Sequence, residues 1–483
     1  MTQLTRRSWL QTGLAAAATP FLGLEAGAQS PLPAADFGYA PSGRLTPRAS
    51  SSIKASNIGI GFEVLDRKVF EPEKTYAHLA ALGVKWARCQ TGWARTERSK
   101  GSYDFAWLDG VVDSLLKIGI QPWFNFGYGN KLYTPEATTE YAVGFVPLYT
   151  AEARAAWVKY TQTIAERYRT RVRHWEIWNE PNIPNFWQPT KPNPADYVEL
   201  VKLTAPEIRK RVPNAVIIGG ALAHMPIDYL EACLDAGLAK YVDKVSFHPY
   251  RPVPEPNYEA EVAAMRSLIA RYRSGIELWQ AENGAPSANG GCCALSNFDW
   301  NETRQAKWLL RRLLTDLSLR LEYTSYFHTV DLVNYNSRDT ASTLTNYKGL
   351  LRGRDYSPKP SYFAMQNVCA LFDAETKPAD FVIRSGGAPD ERIYTASFIR
   401  RGAPLFARWM PVSLQQDKPM QRNTVELWCG KAAKMTEPVL VDLLSGQIYQ
   451  ISRATLSNGW WKIENLPLTD YPLVITDRSG IQV

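Results

Sequence analysis

From residue 57 onward, short apolar runs alternate with longer stretches in which apolar residues recur every three or four positions. The runs 57–62 (NIGIGF), 84–89 (VKWARC), 120–126 (IQPWFNF), 174–178 (HWEIW), 215–219 (AVIIG), 244–247 (KVSF), 276–280 (IELWQ) and 323–328 (YTSYFH) read as buried strands. The stretches 72–82, 107–118, 151–168, 194–211, 227–236, 258–272, 303–318 and 362–371 read as amphipathic helices. Strand and helix in eightfold alternation predict an α/β fold, a (β/α)8 TIM barrel over 53–375. Past residue 376 the helical period disappears. Runs such as RIYTASFIR, TVELWC and YPLVITD, parted by Gly, Pro, Asn and Asp, predict a C-terminal antiparallel β-sandwich domain over 376–483.

Ahead of the barrel the texture differs twice. Arg6 and Arg7, the apolar run from Leu10 to Leu24 and the small-residue ending Ala26-Gly27-Ala28 read as a twin-arginine-type signal peptide over 1–28. The expectation is a periplasmic or secreted protein with no integral membrane span in the mature chain. Residues 29–52 are rich in Pro, Ser, Ala and Gly and read as a linker.

Composition changes this picture little. A formal net charge of +8 is spread along 483 residues without a basic block. No finger, helix-turn-helix or RNA-binding signature accompanies it, so a nucleic-acid partner is not expected, while an acidic polysaccharide stays open. Aromatics reach 12%, including 16 Trp; most belong in the core, and some suit stacking on sugar rings. Cys89, Cys233, Cys292, Cys293, Cys369 and Cys429 lack the paired spacing of a zinc site. The adjacent Cys292 and Cys293 fit either a vicinal disulfide or a reduced pair. His78, His174 and His328 are read as structural, while for His224, just past strand five, a structural role and a substrate contact both stay open.

The candidate chemistry lies in HWEIWNEPN, residues 174–182. Pro181 cannot donate to a ladder and stops the strand, and barrel enzymes work where strands give way to loops. Glu180 is therefore placed at the barrel mouth. Glu176 shares its parity but lies about 13 Å deeper at ~3.3 Å per residue, and is read as a buried structural carboxylate paired with Arg88. On strand seven, IELWQAENGAPS, Glu282 follows the apolar run just where Gly284 and Pro286 open a loop, whereas Glu277 sits about 16 Å toward the closed end. Two glutamates facing each other across a mouth are what acid–base attack on a glycosidic bond requires; a carboxyl spacing of about 5–5.5 Å favours retention and ~6.5–9.5 Å inversion.

The Asn-Glu-Pro ending of strand four, the strand-seven glutamate and SFHPY at 246–250 resemble clan A glycoside hydrolases, most closely the family 39 type of xylosidases, iduronidases and bacterial exopolysaccharide hydrolases. The resemblance covers about residues 55–375. It implies a retaining enzyme acting on a polysaccharide or oligosaccharide with no metal or organic cofactor. By it, Glu180 is the general acid/base and Glu282 the nucleophile. Asn179 would hold the 2-hydroxyl of the sugar, His248 and Tyr250 would border the nucleophile, and Arg88 would orient it. Trp279 and Trp187 fit either stacking platforms or packing roles. Ala281 departs from the hydroxyl residue common before the nucleophile in that family, which bears on substrate preference. The alternatives are a carbohydrate-binding barrel without catalysis and a lyase or transglycosylase using the same cleft. A phosphate enzyme would need a Gly-rich phosphate loop, and none is present.

Overall fold

The structure is a computed structural model and describes residues 32–335, 343–386 and 392–481. The leader read at 1–28 lies outside the described residues. After a short strand β1 (Pro41–Arg44), eight parallel strands close into a barrel: β2 (Ile58–Gly61), β3 (Trp86–Gln90), β4 (Gln121–Phe126), β5 (His174–Ile177), β6 (Val216–Ala223), β7 (Lys244–His248), β8 (Glu277–Gln280) and β9 (Tyr323–Tyr326). Pairing of β2 with β9 shuts the ring. The outer helices start where polar caps allow. Thr150 accepts from the Ala153 amide, Asn193 from Ala195 and Asp196, and Asn301 from Arg304, so Ala151–Tyr168, Pro194–Arg211 and Glu302–Ser318 begin within a residue of their expected starts.

The barrel interior is filled in layers. At its amino-terminal end Trp86, Trp123, Ile218, Trp279, Ala281 and Tyr323 form a separate apolar cluster. Gly59 makes room for it: a β-carbon there would meet the Tyr323 hydroxyl oxygen at 2.0 Å. This plug leaves the polar layer above it open only toward the carboxyl-terminal rim, as in a filled barrel.

The C-terminal region forms two antiparallel sheets, as expected of the sandwich. Its strands are β10 (Thr376–Pro378), β11 (Val382–Gly386), β12 (Tyr394–Arg400), β13 (Ala403–Trp409), β14 (Gln421–Trp428), β15 (Pro438–Asp442), β16 (Gln447–Gln450), β17 (Ala454–Ser457), β18 (Trp460–Leu468) and β19 (Leu473–Asp477). The sheet orders are β1-β16-β15-β19-β13-β12-β10 and β11-β14-β18-β17. The first sheet corrects the reading of 29–52 as a linker throughout, because β1 pairs antiparallel with β16 through Pro41–Tyr449, Gly43–Ile448 and Arg44–Gln447. The segment PSGR has no apolar alternation to betray a strand. It is held by backbone bonds and by Arg44 Nη2 donating to the Ser445 carbonyl at 2.6 Å.

Barrel and β-domain meet through buried polar groups as well as apolar surface. Arg311 donates to both oxygens of Glu255 at 2.8 and 2.6 Å and to the Val412 carbonyl at 2.7 Å, while Trp409 Nε1 donates to Glu255 Oε1 at 2.6 Å. Asn367 Nδ2 reaches the Leu443 carbonyl at 2.9 Å.

Candidate active site

Above the aromatic plug, β3 delivers Arg88 to the barrel axis. Its guanidinium is fully buried and holds the surrounding acids in place. Nε and Nη2 donate to Glu176 Oε2 at 2.9 and 2.6 Å, Nη1 to Glu63 Oε1 at 3.0 Å and to Glu282 Oε2 at 2.7 Å, and Nη2 to Asn179 Oδ1 at 2.8 Å. A planar donor fork can serve several carboxylates at once where an ammonium could not. Glu176 is the buried carboxylate paired with Arg88 that its depth implies. It also accepts from Asn125 Nδ2 at 2.9 Å and from Ser246 Oγ at 2.6 Å, so its oxygens are committed to neighbours in the barrel.

One layer higher, at the rim, stand Glu180 and Glu282. Beyond β5 the backbone turns abruptly, with Trp178 at φ 70° and Glu180 at φ 46°, and the Glu180 amide donates to the Ala221 carbonyl at 2.8 Å. That turn keeps Glu180 in the mouth, 9% exposed, with Asn179 beside it. His248, at the end of β7, lies between the two acids. Its Nδ1 is 2.9 Å from Glu180 Oε1 and 3.8 Å from Glu282 Oε2. The Tyr250 hydroxyl donates to Glu282 Oε1 at 2.9 Å. One oxygen of each glutamate and a ring nitrogen of His248 all lie within 4.8 Å of one another. They are the group among the described residues close enough to grip an ion, but the Arg88 guanidinium already bound to Glu282 disfavours a second cation there.

The charges of this cluster are mutually adjusted. Burial pushes the Glu282 carboxyl up, but the charges of His248 and Arg88 and the Tyr250 hydroxyl outweigh it and leave Glu282 below the ordinary carboxylate range. Burial disfavours the charged ring of His248, yet the carboxylates of Glu282 and Glu180 raise its proton affinity above the usual value. Glu63, just past β2, is raised to about 7: burial dominates, against the Arg88 charge and with the Glu282 charge. Burial moves Tyr250 far upward, so it stays a neutral donor.

These groups line a cleft of about 320 Å³ together with Arg67, Gln90, Tyr128, His224, Cys293, Tyr335 and Lys348. Asn179, Glu180, His248, Tyr250 and Glu282 therefore converge on one cleft, with Arg88 directly beneath, and His224 stands on its edge. Trp279 and Trp187 do not reach it. Trp279 belongs to the aromatic plug, its ring 4.6 Å from Tyr323 and its Nε1 donating to Glu322 Oε2 at 2.8 Å. Trp187 is 0% exposed and packs on Trp178 and Tyr197. Neither can stack on a sugar. Depth along the strand decides Trp279, which points inward but lies below the reacting layer. Glu63 was the residue to find from sequence: it follows NIGIGF directly, at the carboxyl end of the first barrel strand. Lys348 and Tyr335 come from the long segment after β9, which has no periodicity to place them. Burial pushes His174 and His328 down to about 4, as befits neutral structural rings.

A closed barrel with glutamates at the carboxyl ends of its fourth and seventh strands has the architecture of the clan A glycoside hydrolases. The family model of glycosyl hydrolases family 39 matches residues 80–278 of the chain. The chain is 33% identical over 161 residues to a beta-xylosidase of Geobacillus stearothermophilus, covering 31% of each chain. It is also 28% identical over 290 residues to a beta-xylosidase of Caldicellulosiruptor saccharolyticus, covering 55% of this chain and 56% of that one. The matches thus span about a third and about half of those relatives. A family 39 glycoside hydrolase from the gut symbiont Bacteroides cellulosilyticus WH2 shares the fold at a TM-score of 0.64 and 21% identity, over 87% of this chain and 81% of that one. A monomeric beta-xylosidase from Caulobacter crescentus CB15 does so at 0.58 and 17%, over 90% and 97%.

Proposed function

We propose that the chain is a retaining glycoside hydrolase that cleaves O-glycosidic bonds of a polysaccharide or oligosaccharide by double displacement. The observation that carries this is the spacing at the rim, where carboxylate oxygens of Glu180 and Glu282 lie within 4.8 Å of each other. So close an approach of one oxygen from each favours the ~5–5.5 Å carboxyl spacing of retaining pairs over the ~6.5–9.5 Å that admits an attacking water. Glu282, held ionised by Arg88, His248 and Tyr250, is suited to attack the anomeric carbon. Glu180 gives its proton to the leaving oxygen in the first step and takes one from water in the second. Between the steps the ester neutralises Glu282, and His248, hydrogen-bonded to Glu180, holds that side chain in reach of the incoming water. Asn179 spends its carbonyl oxygen on Arg88, so its amide hydrogens face the cleft, where a 2-hydroxyl would accept them.

The matched relatives are beta-xylosidases, which makes aryl β-xylosides the first substrates to try, alongside a panel of bacterial exopolysaccharides and plant glycans. Export by a twin-arginine-type leader is part of the same proposal, and cell fractionation with and without Arg6 and Arg7 tests it. The mechanistic test is trapping with a 2-deoxy-2-fluoro glycoside. The added sugar mass is expected on the peptide holding Glu282; a label on any other side chain would overturn the assignment. Glu282→Gln should abolish turnover. Glu180→Ala should lower it by about 10²–10⁴ on ordinary glycosides but far less on substrates with activated leaving groups, which need no proton.

A further inference from the structure

The loop after β8 brings a second kind of chemistry to the cleft. Cys292 and Cys293 are free, half-buried thiols whose sulfurs lie 2.6 Å apart. The loop is fastened beneath them: the Cys292 amide donates to the Thr345 carbonyl at 3.1 Å, the Ser296 amide donates to the Cys293 carbonyl at 3.2 Å, and a β-carbon at Gly291 would meet the Thr345 carbonyl oxygen at 2.6 Å. Cys293 adopts φ 75°, a left-handed turn that swings its side chain back toward Cys292. Cys292 Sγ donates to the Tyr335 carbonyl at 3.3 Å. Cys293 lines the cleft beside Glu282, Tyr335 and Lys348. Lys348 is 1% exposed, donates to Asn346 Oδ1 at 3.2 Å, and has its ammonium 5.8 Å from the Tyr250 ring.

We propose that Cys292 and Cys293 are a reversible dithiol–disulfide site built into the wall of the cleft, taking small-molecule or protein disulfides as the oxidising partner. The reaction balances without any other reagent. The Cys292 thiolate attacks one sulfur of the external disulfide, expelling a first thiol and leaving a mixed disulfide. The Cys293 sulfur, already in contact, then attacks Cys292 Sγ and expels the second. The pair has lost two electrons and two protons, and the external disulfide has become two thiols. The hydrogen bond from Cys293, backed by the Lys348 charge and opposed by burial, holds the Cys292 thiol below its ordinary value and so favours the attacking thiolate. The same bond, together with burial, pushes Cys293 up. Adjacent α-carbons lie only about 3.8 Å apart, closer than an unstrained disulfide prefers, so the bond is one that thiols reopen readily. The other four cysteines have no sulfur neighbour for this exchange: Cys89, Cys233 and Cys369 are buried singly, and Cys429 lies in the β-domain.

Closing the ring withdraws the Cys292 S–H from Tyr335 and repositions Cys293 on the cleft wall, while Arg88, Glu180 and Glu282 keep their bonds. On the reading of the cleft as a sugar site, the change therefore falls on KM more than on kcat. The experiment equilibrates the full chain with reduced and oxidised glutathione at a series of ratios, quenches with N-ethylmaleimide and maps the 292–293 peptide by mass. The expected result is a peptide with two alkylated thiols under reduction and one lacking two hydrogens, unalkylated, under oxidation, fully restored by dithiothreitol. KM for an aryl glycoside should move by roughly three- to tenfold between the two forms, the size of a lost hydrogen bond or contact, with kcat within about twofold. Cys292→Ser with Cys293→Ser should erase the response. A peptide that keeps two free thiols at every ratio, or that stops at a glutathione adduct, overturns the proposal. An oxidised form with unchanged KM overturns its place in the cleft wall. The peptide map uses wild-type protein and needs no substrate, so it decides the thiol chemistry even if the double variant fails to fold or no glycoside is hydrolysed; the latter would count against the glycosidase reading alone.

Discussion

Arg88 shows how one side chain sets the terms for a whole site. Four partners, Glu63, Glu176, Asn179 and Glu282, draw on one guanidinium. Removing one partner of such a buried network leaves uncompensated charge, at a cost of about 3–5 kcal/mol. Arg88→Met is expected to lower stability on that scale, measured by urea unfolding, and to abolish turnover. Arg88→Lys keeps the charge but loses the fork, and should fold better while raising the acid limb of the kcat/KM pH profile, because Glu282 would lose part of what holds it low. In the wild type that limb should lie below the ordinary glutamate value of 4.5. Glu63 supplies a second titration with the opposite sign. Its folded value, about 7, exceeds its ordinary 4.5, so the folded state binds the proton more tightly and this contribution to stability is present at low pH and lost as pH rises through 4.5 to about 7. Glu63→Gln removes the ionisation and keeps the shape. Its melting temperature should fall less than that of the wild type across the same window.

At the scale of elements, the strands carry the argument because each ends in a different layer. The β5 strand places Glu176 in the buried polar layer and Glu180 on the rim, a division readable from the spacing along HWEIWNEPN and from the proline that stops it. The same logic located Glu282 and set Glu277 aside, and the apolar periodicity marked all eight barrel strands. It left Trp279 and Trp187 open because aromatic richness does not say whether a ring faces sugar or core. The ring of Trp279 fills the plug between Trp123 and Tyr323, and only three-dimensional layering shows that. Trp279→Ala and Trp187→Ala should accordingly cost about 3–5 kcal/mol in stability, as large cavities do, with KM of the remaining folded fraction little changed. A large KM effect without loss of stability would restore either ring as a substrate platform. Segments without periodicity hid the rest: Tyr335, Lys348 and strand β1 are set by long-range backbone pairing that no local pattern encodes.

For the molecule as a whole, the barrel and the β-domain are expected to unfold as one unit, because buried polar groups tie them together. Glu255 receives both Arg311 and Trp409, so Glu255→Ala strands a fully buried guanidinium. It should destabilise the protein by about 3–5 kcal/mol and split a single unfolding transition, followed by calorimetry, into two. Strand β1 has a further consequence. A segment made before the barrel completes a sheet whose other members are made after it, with some four hundred residues between Arg44 and its partner Gln447. The C-terminal sheet therefore cannot be finished in the order of synthesis. Its last edge stays open, with unpaired amides and carbonyls on β16, until the intervening barrel has collapsed enough to bring the two ends of the chain side by side, and a polypeptide paused before that point presents an adhesive strand edge to its neighbours.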